Sequence, residues 1–244
     1  MPDPESTMTA PERRADVRWG LGDAALGWVL GFVGGAVASA VVLAINDGAD
    51  FEDLSLAWLA VAQLGLWFGL LGVPLLAAKL KGNGPVSDYG LRIIGRDVPV
   101  GLVVGFVSQW VIVWIVYLPL QLLTDITSSD ISEPAQEMTD RASNALGVVL
   151  LVVIVGIGAP IVEEIFYRGL LQRALIRRVG EPLGVGGAAL AFALSHFEPL
   201  QLPALFLFGI VLGAVTLRYG RLGPAIVAHM VFNLTAVVSL LVTT

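Results

Sequence analysis

The sequence predicts an all-α, polytopic membrane protein, a bundle of about seven transmembrane helices. Of its 244 residues, 56% are hydrophobic and only 14% are charged, whereas soluble domains carry about 25% charged residues. The mean hydropathy is +0.82. Several charge-free runs reach the length of about 20 residues that a helix needs to cross a bilayer. Because each crossing takes about 20 residues plus a connection, the length allows one compact domain, and we expect a single transmembrane domain over residues 19–244.

Seven apolar runs define the expected crossings. The fifth is short, and Pro199 and Pro203 predict a tight turn or a re-entrant bend, so that the chain near 185–203 forms a short or re-entrant segment. The fourth is long, and Pro160 is expected to kink it. The crossings are expected over residues 24–46, 54–78, 97–123, 144–178, 185–197, 201–217 and 224–244.

Two polar stretches lie outside the expected crossings. Residues 1–18 are polar, contain three prolines and have few apolar side chains, so we expect a disordered cytoplasmic tail. Residues 124–143 are expected to form a polar, acidic loop. Within the first crossing, Gly31, Gly34 and Gly35 predict close contact with another helix, because small residues let helix backbones approach each other in lipid.

The basic residues fall on one side of this topology. Thirteen of the fourteen Lys and Arg residues lie in segments on that side, and Arg141 is the exception. The positive-inside rule predicts that this side is cytoplasmic, with the N-terminus inside and the C-terminus outside. The Ala-, Val- and Gly-rich composition suits a bacterial cytoplasmic membrane. The absence of cysteine excludes disulfides, thiolate nucleophiles and cysteine-bound metals.

Glu163 and Glu164 end a charge-free run, residues 142–162, that is long enough to cross the bilayer. A charged side chain near hydrocarbon costs roughly 2.5 to 3.5 kcal/mol, so such a residue indicates a functional site. Arg168 follows Glu164 by four residues, a spacing that predicts an ion pair on one helix face. Taken alone, the two acids also fit a solvated helix end.

The only histidines, His196 and His229, each lie within an expected crossing, and Asn233 shares a helix face with His229. A water between Glu163 and His196 could be deprotonated and directed at a carbonyl, because a carboxylate shielded from bulk water is a stronger base. His229 and Asn233 could then donate hydrogen bonds to the oxyanion. Alternatively, the histidines are buried structural residues, and Asn233 links two helices.

Three motifs, each on its own hydrophobic segment, carry a resemblance. They are Glu-Glu-x-x-x-Arg at 163–168, Phe-x-x-x-His at 192–196 and His-x-x-x-Asn at 229–233. Together they resemble the CPBP family, which contains type II CAAX prenyl endopeptidases and bacteriocin-processing enzymes. The resemblance covers roughly residues 142–240.

The resemblance implies an all-helical intramembrane endopeptidase with a cavity open to the cytoplasm. It implies hydrolysis of a peptide bond in a membrane-associated peptide or protein. In a bacterial membrane a prenylated substrate is not expected. The residues that it assigns are Glu163 as base, His196 as its partner on the water, His229 and Asn233 as oxyanion donors, and Glu164 and Arg168 as supporting residues.

The same residues raise the question of a metal. Glu163, His196 and His229 match the two-histidine, one-carboxylate set of a catalytic zinc site, and the family is often described as metalloproteolytic. The sequence lacks the compact His-x-x-x-His spacing of zincins, and Asn233 suits an oxyanion better than a metal. We therefore expect no required cofactor, with zinc as the alternative.

Two other function classes fit parts of the sequence. One is a non-catalytic membrane binding or immunity protein that keeps the motifs for structural reasons. The other is a proton-coupled transporter, because Glu and His chains relay protons in membranes. Transporters often show repeated halves, whereas every candidate residue here lies in the C-terminal half. The expected partners are the bilayer and a peptide or membrane-protein substrate, and no nucleic acid.

Overall fold

The computed structural model describes residues 16–50, 53–142 and 144–243, and these residues form a helical bundle without strands. Most of the tail expected over residues 1–18 lies outside the described residues. The helices are α1 (Leu21–Ile45), α2 (Leu56–Lys81), α3 (Pro85–Tyr89), α4 (Asp97–Leu123), α5 (Ser128–Asp140), α6 (Ala145–Val179), α7 (Glu181–Leu194), α8 (Leu202–Tyr219) and α9 (Gly223–Thr243).

Six of the described helices, α1, α2, α4, α6, α8 and α9, are long and apolar enough to cross a membrane. Helix α7 is apolar but has only 14 residues, a length of about 21 Å, which is less than the roughly 30 Å of bilayer hydrocarbon. The following segment, residues 195–201, turns the chain back into α8. The structure therefore confirms a polytopic helical bundle with one short segment near 185–203.

Helices α1 and α2 pack with their backbones almost in contact. A Cβ atom added to Gly34 would lie 2.5 Å from the carbonyl oxygen of Gly65. Gly31 is also close to α2, where an added Cβ would lie 3.1 Å from the carbonyl oxygen of Leu66. The close helix contact predicted from the glycines of the first crossing is thus present, and α2 is the partner.

Helix α6 is the central element, since it contacts α1, α2, α3, α5, α7, α8 and α9. It is irregular, with π-helical stretches over Val152–Gly158 and Glu164–Leu171. Pro160 stands between them; it has no N–H to continue the ladder, and its ring crowds the carbonyl of Gly156. π-Helical insertions of this kind often occur at functional sites. Glu163 ends the short α-helical stretch between them, directly before the second π-helical stretch.

Helix α5 corrects the prediction of a loop over residues 124–143. The Thr127 backbone N–H donates to the Asp130 carboxylate, while the Asp130 N–H donates to the Thr127 hydroxyl, which forms a capping box. These hydrogen bonds from Thr127 lower the pKa of Asp130. Ile131 and Met138, seven residues apart on one face, pack against the core. A short amphipathic helix therefore forms where the acidic composition indicated a loop.

One end of the bundle, called the basic end here, gathers basic side chains from several elements. The ends of α2 and α6, the start of α4 and the turn between α8 and α9 all meet there. Arg177 also stacks 4.0 Å over the Trp19 ring. The partners are the Asp23 carboxylate for Lys81, the Trp19 carbonyl for Arg177, the Tyr89 carbonyl for Arg173 and the Asp97 carboxylate for Arg221.

The opposite end, called the acidic end here, holds the α1–α2 connection and α5. Its acidic side chains are exposed to solvent, and its one basic residue among those described is Arg141. The two ends therefore reproduce the charge asymmetry expected from the sequence. The exposed acids of this end are Asp47, Asp50, Asp53, Asp125, Asp130, Glu133, Glu137 and Asp140.

Candidate active site

Glu164 lies at the centre of a buried polar cluster. Its Oε1 atom accepts a 2.8 Å hydrogen bond from Arg168 Nη1, and both side chains are fully buried. Arg168 Nη2 also donates to the Gly209 carbonyl of α8 at 3.3 Å, and the guanidinium lies 4.5 Å from the centroid of the Phe192 ring. The ion pair predicted from the i,i+4 spacing is therefore present, and it connects α6 to α7 and α8.

His229 on α9 lies between the two glutamates. Its Nδ1 is 2.9 Å from Glu164 Oε1, and its Nε2 is 3.7 Å from Glu163 Oε2. Because an ionised carboxylate only accepts hydrogen bonds, Nδ1 carries the proton that points at Glu164. The His229 ring is only 3% exposed, whereas the Glu163 side chain is 17% exposed. Glu163 is thus the less buried of the two glutamates.

His196 follows the C-terminal end of α7, where its Nδ1 lies 2.8 Å from the Phe192 carbonyl oxygen. A carbonyl oxygen only accepts, so Nδ1 must donate, and Nε2 of the neutral ring is left as an acceptor. The His196 and His229 rings both make edge contacts with the Phe192 ring, with centroid distances of 4.8 and 5.6 Å. Phe192 therefore brings the two histidines to one place.

Tyr167 and Ser195 belong to the site, although no role was predicted for either residue. The Tyr167 hydroxyl donates to Ser195 Oγ at 2.7 Å, and Ser195 Oγ donates to the Phe192 carbonyl at 2.7 Å. That carbonyl is the one that also accepts from His196. The i,i+4 spacing of Phe-x-x-x-His was a signal for the histidine contact, whereas nothing local indicated the bond between α6 and the segment after α7.

Asn233 reaches α6 rather than the glutamates. Its Nδ2 donates a 2.9 Å hydrogen bond to the Val155 carbonyl, within the first π-helical stretch. An amide carries two N–H groups, so this bond uses one of them. The structure therefore places Asn233 on the same helix as His229 and in contact with α6, in the position of a link between helices.

The proposed zinc ligands do not form a metal site in the described structure. Among residues 16–50, 53–142 and 144–243, no group of three or more His, Asp or Glu side chains is arranged to hold a metal ion. Glu163 and His229 face each other, and the Phe192 carbonyl of α7 holds His196 by its Nδ1. The described donors therefore do not converge in the way that the three ligands of a zinc centre do.

A cavity of about 650 Å³ opens beside His196. Its walls come from α1, α2 and α6, together with Met138 of α5 and Phe197, which follows His196. This volume lies within the range of about 300 to 1,000 Å³ that is usual for ligand sites. Phe197 has a φ of +57°, a left-handed conformation that is uncommon outside glycine and often occurs at functional sites.

The comparison with known families agrees with this geometry. Residues 145–235 match the family described as type II CAAX prenyl endopeptidase, Rce1-like, and this range contains all three motifs. Neither curated proteins nor solved structures gave a match. Residues 145–235 thus resemble the Rce1-like type II CAAX prenyl endopeptidase family, which supports membership of the CPBP family and indicates an intramembrane hydrolase of the CAAX-protease type.

Proposed function

We propose that the chain cleaves a peptide bond within the membrane by means of a water molecule held between Glu163 and the two histidines. The observation that carries this proposal is the 3.7 Å separation of Glu163 Oε2 and His229 Nε2. That separation is too long for a direct hydrogen bond, and such a gap between polar atoms is often bridged by water. A bound water there would touch Glu163, the partly exposed glutamate.

Glu163 is the base in this proposal. It takes a proton from the water as the water oxygen attacks the carbonyl carbon of the substrate, and the carbonyl oxygen becomes an oxyanion. When the carbon–nitrogen bond breaks, Glu163 returns the proton to the leaving amine. His196 assists by accepting a hydrogen bond from the water at Nε2, since its Nδ1–H is held by the Phe192 carbonyl.

His229 and Asn233 are the proposed oxyanion donors. The one N–H of a neutral His229 ring is at Nδ1 and is hydrogen-bonded to Glu164. Nε2 can therefore donate a hydrogen bond only when the ring is an imidazolium. Asn233 donates through its second N–H, because the first is bonded to the Val155 carbonyl. Hydrogen-bond donors positioned before reaction, where the negative charge develops, supply a large share of catalysis in acyl transfer.

Glu164 and Arg168 hold this arrangement in place. Glu164 Oε1 accepts from both Arg168 and His229, so the ion pair fixes the imidazole ring as well as the helix. A carboxylate behind a histidine sets the ring's tautomer and its orientation. These two residues act through His229 and do not touch the substrate.

No step in this proposal involves a metal ion. Among the described residues no group of three donors is arranged to hold a metal ion, and the proposed activation of water uses only Glu163 and His196. The substrate is a membrane-associated peptide or protein, and the bilayer is the medium in which it meets the enzyme. The protein is proposed to lie in a bacterial cytoplasmic membrane.

The test compares wild type with Glu163→Gln in proteoliposomes that contain total membrane proteins. Mass spectrometry of new chain termini identifies bonds cut by wild type, and Glu163→Gln is expected to insert and fold but to produce none of them. Glu133→Gln, on the exposed surface of α5, is the matched control and should cut as wild type does. Undiminished cleavage by Glu163→Gln would remove this residue from the mechanism, and loss of folding would indicate a structural role.

A further inference from the structure

Pro160 interrupts the hydrogen-bond ladder of α6. In an α- or π-helix the carbonyl of Val155 would accept a hydrogen bond from the N–H of residue 159 or residue 160. The Ala159 N–H is bonded to the Ile154 carbonyl instead, and proline has no N–H. The described backbone of α6 therefore offers the Val155 carbonyl no donor in either register.

Asn233 supplies the missing donor from α9. Its Nδ2 donates a 2.9 Å hydrogen bond to the Val155 carbonyl. This carbonyl lies about 15 Å along α6 from Ala145, and a carbonyl without a donor is costly at such a depth in a bilayer. Prolines within membrane helices are tolerated where a neighbouring helix satisfies the backbone group that the proline frees. The hydrogen bond from Asn233 therefore has a specific cause in Pro160.

Helix α9 contacts α6 on both sides of Pro160. Before the proline, Gly156 packs so tightly against α9 that an added Cβ would displace the Leu234 side chain. After the proline, His229 Nδ1 lies 2.9 Å from Glu164 Oε1. The path of α6 through the proline therefore sets the distance between these two contacts, and with it the position of the imidazole ring beside the glutamates.

We propose that Pro160 is a positioning residue for the reaction. Because it has no N–H, it leaves the Val155 carbonyl free to accept from Asn233, and this hydrogen bond fixes the register of α9 on α6. The register in turn holds His229 Nε2 at 3.7 Å from Glu163 Oε2, the separation at which the water is proposed to bind. Pro160 acts through these residues and does not touch the substrate. This inference rests on the proposed function.

A double-mutant cycle of unfolding tests the pairing of Pro160 and Asn233 and needs no cleavage. Wild type, Pro160→Ala, Asn233→Ala and the double variant are purified in detergent, and their unfolding equilibrium constants are measured. In wild type, Asn233→Ala is expected to raise this constant about threefold, the effect of a typical hydrogen bond between membrane helices. In the Pro160→Ala background this effect should be lost, because the new N–H at position 160 serves the Val155 carbonyl. An equal effect in both backgrounds would overturn the pairing.

Pro119 provides the matched control, because it is an exposed proline within α4. Asn233→Ala should raise the unfolding constant by the same factor with and without Pro119→Ala. Loss of the effect in the Pro119→Ala background as well would show that the coupling is not specific to position 160. If Pro160→Ala does not fold, Pro160→Gly supplies the same N–H, and the cycle is measured with that variant.

Steady-state kinetics in proteoliposomes separates a positioning role from a purely structural one. Pro160→Ala is expected to lower kcat about ten- to hundredfold with KM unchanged, because misplaced groups stabilise the transition state less and leave substrate binding as it was. Pro119→Ala should leave both constants unchanged. A normal kcat in Pro160→Ala would overturn the positioning role. If wild type cleaves no peptide, the proposed function fails, and the unfolding cycle still decides whether Pro160 and Asn233 are paired.

Discussion

The Tyr167 hydroxyl donates a 2.7 Å hydrogen bond to Ser195 Oγ, and this bond joins the helix that carries the glutamates to the segment that carries His196. Ser195 in turn donates to the Phe192 carbonyl, which also accepts the His196 Nδ1–H. The orientation and tautomer of His196 therefore depend on a chain of hydrogen bonds that starts on α6. Tyr167 and Ser195 are positioning residues in the proposed mechanism.

Tyr167→Phe removes this hydrogen bond and keeps the ring that packs against Phe192. A net hydrogen bond is worth about 0.5 to 1.5 kcal/mol, so kcat is expected to fall about two- to tenfold, with KM unchanged. Steady-state kinetics measures the effect, with a substrate peptide identified by mass spectrometry of new chain termini. Tyr219→Phe, at the exposed end of α8, is the control.

The double variant separates positioning from a general structural effect. Ser195→Ala breaks the same chain of hydrogen bonds, so Tyr167→Phe combined with Ser195→Ala should lose no more activity than the worse single variant. Groups that share one network are not additive. If the fold-loss of kcat in the double variant equals the product of the two single losses, the two residues act independently of each other.

Glu163 and Glu164 are neighbours, but their replacement is expected to change stability by very different amounts. Glu164→Ala leaves the Arg168 cation buried without its partner, and breaking a buried pair in this way costs about 3 to 5 kcal/mol. Glu163→Ala, at a partly exposed side chain, should change the unfolding free energy by less than about 1 kcal/mol. Unfolding of the purified protein in detergent measures both. Equal losses for the two variants would contradict the assignment of separate roles.

Asn233 has two candidate roles that one variant distinguishes. As a link to the Val155 carbonyl, it contributes about 0.6 kcal/mol, a typical value for hydrogen bonds between membrane helices. As an oxyanion donor, it contributes about 10²- to 10³-fold in kcat. Asn233→Ala is expected to show both effects, a small loss of stability and a large loss of kcat. A small loss of stability with unchanged kcat would leave only the structural link.

The sequence predicted those features that depend on local pattern. Charge-free runs gave the long helices to within a few residues, because the bilayer sets a minimum length for an apolar segment. The i,i+4 spacing gave the pair of Glu164 and Arg168, since both residues lie on one helix. Helix α5 was not predicted, because the acidic composition of this segment indicated a loop. The capping box at Thr127 and the apolar spacing of Ile131 and Met138 are the local signals for the helix.

Features that depend on how helices meet could not be predicted in this way. The bond between Tyr167 and Ser195 depends on where the short helix α7 ends beside α6. The bond from Asn233 depends on α9 meeting the π-helical part of α6, where the Val155 carbonyl can accept it. The cavity beside His196 depends on the packing of α1, α2 and α6 together. Separate motifs contain none of this information.

Removal of metal ions is expected to leave cleavage unchanged. The described donors include no three-ligand site, and the proposed base, Glu163, needs only a water to deprotonate. Purified protein is treated with 1,10-phenanthroline and EDTA in proteoliposomes, the chelators are dialysed away, and the initial rate of cleavage and the zinc content are measured. The rate should equal that of untreated protein, with less than one zinc per chain before treatment. Loss of activity that returns on addition of zinc would instead place Glu163 and His229 among metal ligands, and the water would then be activated by the metal.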